Sequence, residues 1–134
     1  MLRRFAAGSV VACIATAIAS AVVLVISGVA PQRLSLILAI WCIVPCVWGL
    51  WAMVSPSNWV PQHLPIWGTL LGIVAGLMAV FVVNIPYRIF GVAVPTTTRA
   101  FFVVVAALFY YLLWTGVKKV YMSLSGSSSA PSRG

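Results

Sequence analysis

The sequence predicts an all-α integral membrane protein, a bundle of four transmembrane helices joined by short interfacial loops. Three observations predict it. Hydrophobic residues fill 63% of the 134 positions, Asp and Glu are absent altogether, and the eight Lys and Arg residues sit at the ends of uncharged runs. Those runs cover residues 5–32, 34–62, 64–87 and 100–117, each of a length suited to a hydrocarbon core about 30 Å thick. Spans are expected at 6–29, 34–54, 66–86 and 100–120, forming one transmembrane domain over residues 1–122.

The first run opens on Arg3 and Arg4 and contains Ala19-Ser20-Ala21, a combination also found in secretory signals. Its apolar stretch continues through residues 22–26, too long for a signal core, so an uncleaved first span is expected. Gly8, Ala12, Thr16 and Ser20 form one row of small side chains along it, and Ser9, Cys13, Ala17 and Ala21 form the adjacent row.

The second span holds Cys42, Pro45 and Cys46. Pro45 lacks an N–H and leaves the Trp41 carbonyl without its helical donor, so a kink is expected there. Cys42 and Cys46 share a helical face and could present two soft ligands to a cuprous ion. No further Cys, His or Met surrounds them at metal-binding spacing, so they read as small apolar packing residues. Residues 55–65 follow with three prolines and no fixed charge, and predict an interfacial turn. His63 within it is the chain's only histidine, with no carboxylate to orient it, and reads as a surface residue.

In the third span Gly68, Gly72 and Gly76 recur every fourth residue, a smooth strip that allows close approach of another helix. Small rows on the first span offer a matching surface, so spans one and three are expected to pack together, within one chain or between two copies. Asn84 is the most polar residue well inside a span, and Arg88 lies four positions later on the same face. Polar side chains at such depth often mark a pathway or site, which makes Asn84 and Arg88 the candidate polar site, although Asn84 can equally serve to satisfy backbone near the helix end. Two prolines and two arginines bracket the connection 86–99, which should lie against the membrane surface, with Thr96, Thr97 and Thr98 capping the last span. From residue 123 the chain turns Ser-rich, and 123–134 is expected to be disordered.

Four spans place Arg3, Arg4, Lys118, Lys119 and Arg133 on one side and Arg33, Arg88 and Arg99 on the other. By the positive-inside rule both termini should be cytoplasmic, in the inner membrane if the host is bacterial. Trp48, Trp51, Trp59, Trp67 and Trp114 map near the side bearing the termini and are expected to be interfacial anchors.

The missing carboxylates restrict function most. Carboxylate acid/base catalysis, Mg or Ca binding and carboxylate-gated proton coupling all need Asp or Glu. No enzymatic activity, catalytic residue, cofactor or metal is therefore expected. Small four-span multidrug exporters share this length and helix count but carry a glutamate in their first span, which is missing here. The basic ends fit anionic lipid headgroups better than nucleic acid, whose binding face would group its cations in one polar patch. The partners expected are the anionic lipid bilayer and another membrane subunit or further copies of the chain. The function expected is a non-catalytic accessory or assembly subunit of a larger membrane complex, the alternative being a homo-oligomeric transporter or channel for a small neutral or anionic solute or lipid.

Overall fold

A computed structural model describes residues 1–26, 31–91 and 93–126. Five helices follow one another: α1 (Leu2–Ile26), α2 (Pro31–Val54), α3 (Leu64–Leu77), α4 (Ile85–Phe90) and α5 (Thr96–Gly126). A 3₁₀ turn, Ser57–Trp59, separates α2 from α3, and a π-helical turn, Met78–Val82, extends α3. Four stretches are long and apolar enough to cross a membrane: Leu2–Val25, Leu34–Val54, Leu64–Val82 and Thr96–Gly126. The chain is thus an all-α, multi-pass membrane protein.

Up-and-down connectivity puts both ends of the described chain and the turn after α2 at one end of the bundle, hereafter the terminal end. Close packing joins α1 to α2, α1 to α5 and α3 to α5. The order around the bundle is therefore α2, α1, α5, α3. The α2–α3 seam lacks such packing along its length, and this is the feature that shapes the site.

Several expectations change. The glycine strip of α3 faces α5 rather than α1. A methyl group at Gly68 would run into the Trp114 indole, and one at Gly72 would lie 2.6 Å from Tyr110 Cβ. At Gly68 and Gly72 the strip accommodates aromatic residues of α5, and at Gly76 it meets Ala106 and Val103. Gly8 serves α1 differently: a methyl there would come within 2.8 Å of the Trp48 carbonyl oxygen on α2. The small rows of α1 are thus divided. Gly8 and Ala12 are buried within the chain, Thr16 and Ser20 are half-buried, and Cys13, Ala17 and Ala21 are exposed.

Boundaries shift too. The third span ends at Val82, before the expected residue 86, because the chain turns at Asn84. Thr96 to Thr98 form the first turn of α5 instead of a cap before it, with the Arg99 N–H donating to the Pro95 carbonyl at 3.0 Å. Residues 123–126, expected to belong to the tail, continue α5. Val120 and Tyr121 pack against the core, and the Ser125 hydroxyl donates back to the Tyr121 carbonyl at 2.9 Å, so helix carries on past the last apolar run. The expected first-span residues 27–29 and tail residues 127–134 lie outside the described residues. α2 runs unbroken through Pro45, whose own carbonyl accepts a 3.0 Å bond from the Ser9 hydroxyl of α1.

Candidate functional site

Local chemistry at the end of α3 builds the most structured polar feature of the bundle. The π-helical turn closes with the Val83 N–H donating to the Met78 carbonyl, five residues back, at 2.9 Å. π-turns of this kind are rare and gather at functional sites. Asn84 then adopts the left-handed conformation, φ 53° and ψ 49°, one that Asn tolerates better than other non-glycine residues. The reversal starts α4, with Pro86 in its first turn where no N–H is needed, and Gly91 ends it at φ 70°. Arg88 is anchored from both sides of that turn: its N–H donates to the Asn84 carbonyl at 3.1 Å and its Nε to the Val83 carbonyl at 2.9 Å.

Asn84 and Arg88 therefore meet on one open cavity of about 520 Å³, which Val82, Val83, Tyr87 and Gly91 complete. Oδ1 of Asn84 itself is buried without a hydrogen-bond partner. A buried amide oxygen left in that state costs about 1–3 kcal/mol.

Below this polar cavity, deeper in the bundle, lies an apolar one of about 260 Å³, between α2 and α3. Ile40, Ile43, Val44 and Val47 supply one wall at successive helical turns, and Leu71, Ala75, Met78 and Ala79 supply the other. Trp48 and Tyr110 form its floor, Ile85 of α4 reaches it from above, and Val83 borders both cavities. Ile43, Val47 and Met78 are exposed, which opens the seam sideways toward lipid.

Four tryptophans and a tyrosine close the seam at its terminal end. The Trp51 indole N–H donates to the Trp67 carbonyl, and the Trp67 N–H to the Trp51 carbonyl, each at 2.9 Å. Their rings stack with centroids 4.9 Å apart and planes 20° apart. Trp51 lies in the last turn of α2, where helical carbonyls lose their intrahelical donors, so the Trp67 indole also caps that helix. Behind this clasp Trp48 packs on Tyr110 and Trp114 at centroid distances of 5.0 and 5.6 Å.

The anchor expectation needs correction at two of its five positions. Trp48 is 2% exposed and Trp114 0%: Gly68 on α3 makes space for the Trp114 indole, and the Trp48 ring packs against Trp114 and Tyr110. Buried rings cannot sit among headgroups. The Nε1 of Trp114 has no partner either. Trp51 and Trp67 turn their N–H groups on each other, while half-buried Trp59 packs edge-on to Trp67 at 6.0 Å and near exposed His63 at 5.8 Å.

A second, outward groove of about 240 Å³ lies between α1 and α2, lined by Cys13, Thr16, Ala17, Ser20, Leu38, Trp41, Cys42 and Pro45. The thiols of Cys13, Cys42 and Cys46 are free and exposed. Among the described residues no three His, Cys, Asp or Glu side chains come together as a metal site.

The sequence reading missed the apolar seam. Its lining follows helical periodicity, but helices apolar on every side offer no polar contrast by which to recognise an inner face. Compared with protein-family models, curated proteins and solved structures, the chain matches none of them, so the cavities and the outward groove are what bear on its role.

Proposed function

We propose that the chain is a non-catalytic accessory or assembly subunit of a larger membrane complex. The observation that carries this reading is a strip of small side chains exposed on α1. Outside α5 are Phe101, Val104, Val105, Leu108, Phe109 and Leu112, bulky side chains exposed as lipid-facing residues usually are. α1 too exposes bulky side chains, Val10, Ile14, Ile18 and Val22, but beside them runs a strip of small exposed ones, Cys13 and Ala17 in the groove shared with α2 and Ala21 one turn further on. Small side chains let another helix approach closely and gain dispersion contacts that lipid tails supply less well. Thr16 already bonds its hydroxyl to the Ala12 carbonyl at 2.8 Å, so the face demands no polar partner.

The electrostatics point the same way. With eight cationic side chains and no acidic one, the chain suits the carboxylates of another protein as well as lipid phosphates. We further propose that both termini are cytoplasmic, in the inner membrane if the host is bacterial, a reading supported by the five cations on the terminal side against three on the other.

A photo-crosslinking residue at Ala17, in native membranes, tests the reading. An adduct with a different polypeptide is expected, with none from the same probe at Leu108. An adduct at twice the chain's own mass would instead favour the homo-oligomeric transporter or channel. Absence of any protein adduct at Ala17 would remove both.

A further inference from the structure

We propose that the α2–α3 seam is a binding site for an anionic phospholipid, with one acyl chain in the apolar cavity and the phosphate on Arg88. The apolar cavity and the polar one share Val83, and Ile85 of the first follows Asn84 of the second, so an apolar lining adjoins one that carries an amide and a guanidinium. A ligand that fills both must be amphipathic.

Charge then selects the headgroup. Arg88 commits Nε to the Val83 carbonyl, which leaves its two Nη groups as donors in the fork geometry suited to a phosphate. No Asp or Glu exists in the chain to occupy them. Close by, the buried Oδ1 of Asn84 lacks a donor. A hydroxyl of a glycerol-type headgroup would supply one once the Asn84 amide, which lines the polar cavity, turns to expose that oxygen. The depth also fits, since Arg88 follows the end of the third span at Val82 by a short turn and so lies at headgroup level.

Size excludes the other candidate occupant. A helix is 10–12 Å wide, whereas this cavity holds about 260 Å³ between two helices joined at one end by the tryptophan clasp. An acyl chain is narrow enough to enter sideways past Ile43 and Met78. A soluble anion would use Arg88 but leave the apolar cavity without an occupant.

Arg99 supplies an internal control. It makes the same local bond, from Nε to the carbonyl five residues earlier, Val94, at 2.9 Å, yet borders neither cavity.

The purified full-length chain, released from detergent with defined lipids and weighed by native mass spectrometry, provides the test. One phosphatidylglycerol per chain should be retained in preference to phosphatidylcholine. Arg88→Gln should reduce that retention about tenfold, the loss expected for one charged hydrogen-bonding partner, while Arg99→Gln leaves it unchanged. Ala79→Leu, which fills the cavity without removing charge, should reduce retention of phosphatidylglycerol as well. Equal retention of the two lipids by the native chain, an equal loss with Arg99→Gln, or unchanged retention with Ala79→Leu would each overturn the proposal. Displacement of the lipid by inorganic phosphate would overturn it in favour of a free-anion site. None of these results bears on the crosslink at Ala17, so the subunit reading stands or falls separately.

Discussion

The two ends of the α2–α3 seam are made from similar apolar helices, yet one is locked and the other open. At the terminal end, Trp51 and Trp67 exchange indole–carbonyl bonds, the Trp114 ring fills the space left by Gly68, and Arg4 Nη1 donates to the Ser55 carbonyl at 3.0 Å beyond the end of α2. At the opposite end α3 loosens into a π-turn, Asn84 reverses the backbone, and a cavity separates the helices. Inside a membrane the hydrophobic effect does not drive helices together, so a seam closes only where rings, small residues and hydrogen bonds meet. Residues such as Val44, Ala75 and Ala79 lining the open part offer dispersion contacts alone, and lipid can match those.

The largest effect should come from damaging the locked end. Gly68→Ala places a methyl group in the Trp114 ring and should destabilise the purified protein by about 1–3 kcal/mol, the usual range for overpacking. Gly76→Ala meets only ordinary contacts, the nearest 3.4 Å from Ala106 Cβ, and should cost far less. Denaturation in mild detergent, followed by helical circular dichroism, measures both. Equal losses would mean that close approach at Gly68 is not what holds α3 to α5.

Next comes the clasp. Trp51→Phe and Trp67→Phe each remove one indole–carbonyl bond, worth about 0.5–1.5 kcal/mol. Because the rings also stack, the double variant should deviate from the sum of the single ones. A double-mutant cycle in the same assay reads that coupling. Strict additivity would show the two rings acting separately.

A smaller change of opposite sign is expected at the open end. Ala79→Leu adds side chain to the apolar cavity and should stabilise lipid-free protein by about 0.5–2 kcal/mol, as cavity filling commonly does. Should this variant lose stability, the seam would be closed in the membrane protein. The smallest effect belongs to Trp114→Phe. It forfeits part of a well-packed ring but also removes a buried N–H without a partner, two terms of similar size and opposite sign. Its net cost should lie below that of Trp51→Phe. A larger cost would mean that the indole N–H is satisfied after all.

The candidate polar site was legible because polarity is conspicuous in an apolar chain. Asn84 and Arg88 stand out by type and by their four-residue spacing, and the structure brings both to one cavity. Their local geometry was harder to foresee. An Asn inside an apolar run reads as part of the helix, and the left-handed turn that ends the span there depends on the π-turn before it and Pro86 after it. The tryptophans were misread for a related reason. Position along the sequence locates an indole at a level in the membrane but does not say whether a glycine on another helix opens a space for it.

By itself the sequence determined the class of this protein and the number of its spans. Run length and the absence of charge decide those, because transfer of an apolar segment into lipid is a property of the segment alone. It also determined that no side-chain carboxylate is present for chemistry. Only the tertiary structure decided which helices are neighbours, that the glycine strip receives Trp114 and Tyr110 of α5, and that one seam stays open over an apolar cavity. Pairing depends on the fit between specific side chains on helices distant in sequence, and that fit is set by packing once all four helices lie side by side.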